Sequence, residues 1–486
     1  MFTAGLGIIY LLNLGGISHL ISIGRKDADR LREVALNWSL AILTGTVLLW
    51  VFFDGGGQFQ SVIKFGWVGG MTLVFGVDGI SLFFLNLTAF LIPICILVSW
   101  DSIKFLIKEF LLCLFLIEIL LIGVFTVLEL VGFYILFEGV LIPMYLIIVV
   151  WGTREEKIRA SYYFFFYTFL GSVFMLLGIF AVYSETGLTD YRALCNCELG
   201  EIVQYSVFLG VFISLAIKIP KIPFHIWLPQ AHVEAPVAGS VILAGVLLKI
   251  GGYGFIRFTW PLLPEATEYF VPLIMSLSLL GIIYGSLTTC RQVDLKRIIA
   301  YSSVAHMGLV TLGIFSHTLQ GWVSAVFLML SHGLVSSALF IVVTFLYERH
   351  HTRLIRYYRG MAITMPIFSI IMFLLVLANA SVPLSCNFVG EFISLLAAFE
   401  YSYIVGIMAS SGILVSAAYS IYLYNRVCFG TPSHYLHFPR DLNRREVWAL
   451  MPLVSLIFLL GVSPNVVMDA IMSTGQMGAV APDVQG

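Results

Sequence analysis

Runs of about 20 apolar residues recur from one end of this 486-residue chain to the other, separated by short polar turns. A run of that length crosses the hydrocarbon of a bilayer as one α-helix. In lipid, every backbone N–H and C=O must find its partner within the protein, so only helices and closed barrels can span. Runs this long read as helices. Composition agrees, since 60% of the residues are hydrophobic and 11% are charged, too few to give a water-facing surface. Fourteen candidate spans lie between residues 3–22 and 447–468. The expected fold is an all-α integral membrane protein of about fourteen transmembrane helices. The apolar stretch from Met1 to Leu20 reads as the first span and lacks the Arg-rich amphipathic character of a transit peptide. The chain is therefore expected to be bacterial or made inside the organelle that uses it.

Two spans, the seventh (204–232) and the twelfth (361–399), are too long and contain proline: Pro220, Pro223 and Pro229 in one, Pro383 in the other. Proline removes a helix donor, so both should be broken. Within a membrane, irregular backbone belongs where it lines a cavity or site. The breaks stand five spans apart, which predicts two five-helix units, and the odd number inverts the second relative to the first. The corresponding division is 1–100 for three N-terminal helices, 101–257 and 258–428 for the two units, and 429–486 for a last helix and tail. With the N-terminus outside, twenty of the 26 Lys and Arg residues fall on inner loops. Lys64, Arg192 and Arg257 fall on outer loops. That asymmetry follows the positive-inside rule. The 54–77 segment, rich in Gly and β-formers, is expected to form a small outer hairpin.

Ionisable residues inside spans are costly and mark function. Six stand out: Glu138, Lys218, Lys249, His306, His332 and Glu391. Glu138 lies deep in the apolar run VGFYILFEGVLIPMYLII, where it serves as a proton site or as a structural ion pair. Lys218 stands at the first break, and a lysine beside a movable carboxylate can act as a proton switch. Lys221, three residues on, either shares that site or snorkels to inner water. Lys249 is mid-span. His306 and His332 are relay residues in segments dotted with Ser302, Ser303, Ser331, Ser336 and Ser337, which suggest a wet polar axis. Glu391 follows the second break. Alone, each histidine could equally be a hydrogen-bonded core residue. Spread over six spans, the series reads as a proton wire across the width of the protein. Glu118 and Glu129 lie nearer span ends.

A metal site would need converging ligands. His225, His232 and Glu234 cluster around WLPQAH without an HExxH pattern, so a gate at the inner mouth is the preferred reading. The seven cysteines show no Fe–S or haem spacing. No Walker A, no GxGxxG after a strand and no nucleophile elbow appears. With a net charge of -1, no nucleic acid is expected as partner.

The segments KIPFHIWLPQAHVEAPVAGSVILAGVLLKIGGYGFIRF, DLKRIIAYSSVAHMGL, LSHGLVSSALF and NFVGEF resemble subunit 4 of mitochondrial NADH:ubiquinone oxidoreductase, respiratory complex I, and the likeness extends over nearly the whole chain. The resemblance implies fourteen helices, an inverted five-helix repeat and a place in the membrane arm beside neighbouring antiporter-like subunits and lipid. It implies multi-pass insertion in the mitochondrial inner membrane, with a bacterial plasma membrane as the lesser alternative. It also implies proton pumping driven by NADH oxidation and ubiquinone reduction elsewhere in the complex, with NADH, FMN, Fe–S clusters and ubiquinone on other subunits and no cofactor on this chain. The family's key positions fall on the same six residues. A subunit of a multi-subunit cation/proton antiporter is the alternative, since it shares the fold.

Overall fold

The computed structural model describes residues 5–55, 58–66, 72–436 and 440–478. The first residues of the expected first span and the end of the expected tail lie outside them. Among the described residues, thirteen helices are long and apolar enough to cross a membrane. Spans 1 to 6 are Gly5–Ser22, Ala28–Val51, Gly79–Val98, Ile107–Thr126, Leu130–Trp151 and Lys157–Thr186. Span 7 is Glu201–Lys218, continued after a break by the half-helix Trp227–Glu234. Spans 8 to 11 are Val237–Leu262, Pro264–Cys290, Leu295–Ile314 and Leu319–His350. The shorter Pro366–Asn379 and Cys386–Tyr401 form a broken span 12, and Tyr403–Cys428 and Arg444–Val462 complete the fourteen. Both breaks therefore stand where the prolines place them, five spans apart.

Spans 8 and 11 are wholly enclosed by the others, whereas spans 1, 2 and 14 expose most of their surface. Close approach at the centre requires glycine. A Cβ on Gly333 would stand 2.9 Å from the Gly245 carbonyl oxygen, and one on Gly245 would meet Leu91 at 2.4 Å. This backbone-to-backbone seam between spans 8 and 11 is the kind small residues permit in membranes. Two strands, β1 (Gln60–Gly66) and β2 (Thr72–Val77), pair antiparallel with Ile63 opposite Phe75 and Phe65 opposite Leu73, giving the expected hairpin.

Several expectations need correction. Span 5 is interrupted at Val140, between Leu130–Gly139 and Leu141–Trp151. Pro143 is the cause, since its ring clashes with the carbonyl four residues back, at Gly139. Arg257 does not lie on an outer loop. It is buried in span 8 and its Nη2 stands 2.5 Å from Asp78 Oδ2. Lys296 and Arg353, counted among inner-loop charges, are buried too. Span 8 runs to Leu262, past the expected end at residue 257. Span 14 stops at Val462, and after Pro464 a separate helix, Asn465–Gly478, packs on spans 3 and 11.

Candidate functional site: a buried row of charges

The first break ends a helix at Lys218. Its freed carbonyls need partners, and Trp227 Nε1 donates to the Ile217 carbonyl at 2.9 Å, stapling the two halves of span 7. The Lys218 ammonium points away from the break toward span 5, lying 4.5 Å from the Phe137 ring centroid. It is 2% exposed and makes no hydrogen bond among the described residues. Glu138 is the charge it faces, yet the two form no ion pair within 4.0 Å. Glu138 is half-buried, with Oε1 buried and unbonded. The carboxylate thus sits just ahead of the Val140 interruption, at the edge of the chain rather than deep inside it.

Lys249 occupies the middle of span 8. The span departs from α geometry on both sides of it, with π-helical turns at Leu243–Leu247 and Phe255–Thr259. Such turns loosen the backbone ladder and are frequent at functional sites. The Lys249 ammonium donates to the Ala244 carbonyl freed by the first π turn. It also stands 2.9 Å from His332 Nδ1 on span 11. With lysine as donor, that nitrogen accepts and the ring proton sits on Nε2. The His332 and His306 rings are 5.5 Å apart between centroids and tilted by 48°. His306 Nδ1 donates to Glu391 Oε1 at 2.7 Å, joining span 10 to the second half of span 12. All four residues are at most 2% exposed. His306 Nε2 and Glu391 Oε2 have no hydrogen-bond partner among the described residues, and buried polar atoms in that position need water or a moving partner.

The structure thus brings Lys249, His332, His306 and Glu391 into one row, and places Lys218 and Glu138 facing each other at a separate end. An imidazole takes a proton on one nitrogen and releases one from the other, so the row has the chemistry of a relay. The five serines do not bridge it. Each hydroxyl donates to a backbone carbonyl, Ser336 to that of His332 at 2.6 Å. Lys221 does not snorkel to water; it is 4% exposed and donates to Ser278 Oγ at 3.2 Å. His232 is buried flat on Phe340, with ring centroids 4.5 Å apart. Among the described residues, no three His, Cys, Asp or Glu side chains converge as metal ligands.

Sequence reasoning left out a cation clamp on the half-helix Trp227–Glu234. Arg353 donates to the Val233 carbonyl and to Thr153 Oγ1, and lies 3.7 Å from Glu234 Oε1. Lys296 Nζ donates to the Ala235 carbonyl at 3.1 Å. Cations at a helix C-terminus complement its dipole. The available signal was Glu234, a carboxylate beside the break that needed a partner.

Residues 127–416 match the family described as NADH:quinone oxidoreductase/Mrp antiporter, TM. NADH-ubiquinone oxidoreductase chain 4 of Metridium senile is 65% identical over 473 residues, covering 96% of each chain. The protein of that name from Arabidopsis thaliana is 50% identical over 467 residues, 95% of this chain and 94% of that one. Among solved structures, a chain of respiratory complex I from Thermus thermophilus superposes with a TM-score of 0.88 at 27% identity, over 99% of this chain and all of that one. A chain of the Mrp complex from Dietzia sp. DQ12-45-1b reaches 0.86 at 18% identity, covering 100% of this chain and 99% of that one, a likeness of fold alone.

Proposed function

Because the chain belongs to the NADH-ubiquinone oxidoreductase chain 4 family, we propose that it is the antiporter-like, proton-translocating subunit of respiratory complex I in the mitochondrial inner membrane. NADH oxidation and ubiquinone reduction take place on other subunits, which carry FMN and the Fe–S clusters. This chain holds no redox centre and works within the membrane arm beside other antiporter-like subunits. Residues 1–100 form an N-terminal three-helix part, 101–257 and 258–428 the two inverted units, and 429–486 the closing helix and tail.

Protons enter from the inner side toward Lys218, whose affinity is set by Glu138, and reach Lys249. His332 and His306 carry them along the midplane, and Glu391 holds them until a change of neighbouring charge expels them outward. The observation that carries this reading is the Lys249–His332–His306–Glu391 row, three of whose members lie on the mutually packed spans 8, 10 and 11. The test is Glu391→Gln in purified complex reconstituted in vesicles, with NADH oxidation and lumen acidification followed together. Assembly should persist and acidification should collapse; native pumping by the assembled variant overturns the assignment. An Mrp-type antiporter has the same fold, but the 65% and 50% identities to chain 4 sequences favour complex I. Co-purification with flavin and Fe–S absorption in mild detergent separates the two.

A further inference from the structure

The first break carries two lysines that face opposite ways. Lys218 looks into the first unit, over Phe137 of span 5. Lys221 looks into the second unit: its ammonium donates to Ser278 Oγ of span 9 at 3.2 Å, and that hydroxyl stands 3.0 Å from Thr311 Oγ1 of span 10. Lys221, Ser278 and Thr311 are all buried. Among the described residues no carboxylate lies within 4.0 Å of the Lys221 ammonium, so it is not half of an ion pair. A cation kept inside a membrane protein without a counter-charge needs a functional reason.

The surroundings also give a direction. The Lys221 ammonium lies 5.7 Å from the ring of Phe212 and 6.0 Å from that of Phe315. Phe212 precedes the break on the half of span 7 that starts at the outer face, and Phe315 caps the outer end of span 10. Thr311 lies five residues beyond His306 along span 10, about 7.5 Å farther outward at the helical rise. Past it, Ser316 Oγ and Thr318 Oγ1 stand 3.1 Å apart, and Thr318 is partly exposed. Two hydroxyls, Ser278 and Thr311, therefore lead away from Lys221, and a second pair, Ser316 and Thr318, stands at the outer end of span 10.

We propose that Lys221 is a proton-holding residue of this chain, and that Ser278 and Thr311 form the first hydroxyl steps of an outward exit from the first break. The proposal rests on the proton-translocating reading above. In each transfer one proton arrives and one leaves. The Lys221 ammonium gives a proton to Ser278 Oγ as the Ser278 hydroxyl, which in this structure donates to the Ile274 carbonyl at 2.6 Å, turns and passes its own proton to Thr311. Thr311 turns from the Gly308 carbonyl, its partner at 2.9 Å, and releases its proton outward. Lys221 is left neutral and takes up the next proton that reaches the break.

The experiment compares Lys221→Met, Lys221→Arg and Thr311→Val in the assembled complex in vesicles. Lys221→Met should cut coupled proton translocation by about a hundredfold, the lower end of the range for loss of a proton-transfer group. Lys221→Arg keeps the charge but holds its proton, so it should fail similarly. Thr311→Val preserves shape without the hydroxyl, and should slow pumping less while enlarging the D2O solvent isotope effect. Native pumping by Lys221→Met, or full rescue by Lys221→Arg, overturns the proposal. If the Lys221 variants do not assemble, an unchanged rate and isotope effect in Thr311→Val overturns it alone. Lys249→Met serves as the control: pumping that survives there defeats the central-row reading, whereas pumping lost there and intact in Lys221→Met defeats only the exit proposed here.

Discussion

The two ends of the charged row treat their carboxylates differently. At the second end, Glu391 accepts a 2.7 Å hydrogen bond from His306, and both residues are buried. At the first end, Glu138 is half-buried and makes no ion pair with Lys218, which rests instead on the face of Phe137. One carboxylate is engaged and the other disengaged in the same structure. A closed pair holds its proton in place, whereas an open pair leaves the affinity of the lysine to whatever approaches the carboxylate from outside the chain. In the proposed proton path, the half-buried Glu138 would respond to a neighbouring subunit and the bonded Glu391 would store the proton.

The comparison breaks most completely at the residue between the ends. Lys249→Met should leave the complex assembled, on native gels, but abolish vesicle acidification, because the lysine is the group that contacts His332. A double-mutant cycle sharpens the contrast next. His306→Gln with Glu391→Gln should show a coupling of about 1–3 kcal/mol in thermal stability, since these groups share a buried hydrogen bond. The Glu138→Gln and Lys218→Met cycle should give less; equal couplings would erase the distinction. Phe137→Leu comes third. Removing the ring beneath a desolvated ammonium should cost about 2 kcal/mol, read as a shift in the pH dependence of coupled turnover with NADH–dye reductase unaffected. Ser336→Ala should matter least. It loses one bond to the His332 carbonyl and should keep pumping within about fivefold, the factor that a net hydrogen-bond contribution of about 1 kcal/mol corresponds to. A large loss there would restore the serines to the proton path.

Much of this architecture was legible in the sequence because bilayer thickness and proline chemistry act locally. Spans follow from apolar length, and the breaks after Lys218 and Asn379 follow from Pro220, Pro223 and Pro383. Pro143 obeys the same rule, and reading its span as unbroken overlooked a proline in plain view. The six singled-out ionisable residues were visible as charges in apolar runs, but their bonds were not: Lys249 and His332 are 83 residues apart, His306 and Glu391 85. The buried depth of Arg257 depends on Asp78, 179 residues away, so counting it as a loop charge was natural from local composition. The π turns around Lys249 contain no proline. They accompany the Gly245–Gly333 seam, a tertiary contact that local pattern does not encode.

The cation clamp on the half-helix Trp227–Glu234 has a mechanical meaning. Arg353, from beyond span 11, and Lys296, at the base of span 10, grip the carbonyls of Val233 and Ala235. The half-helix is anchored at its C-terminal end to span 10 and the Arg353 loop, and joined at its other end to the first half of span 7 through the irregular segment carrying Pro220, Lys221 and Pro223. It is a lever with a fixed foot. In the proposed mechanism, a shift of span 10 or of the Arg353 loop would be passed along the half-helix and through the Trp227–Ile217 bond to the break that carries both lysines.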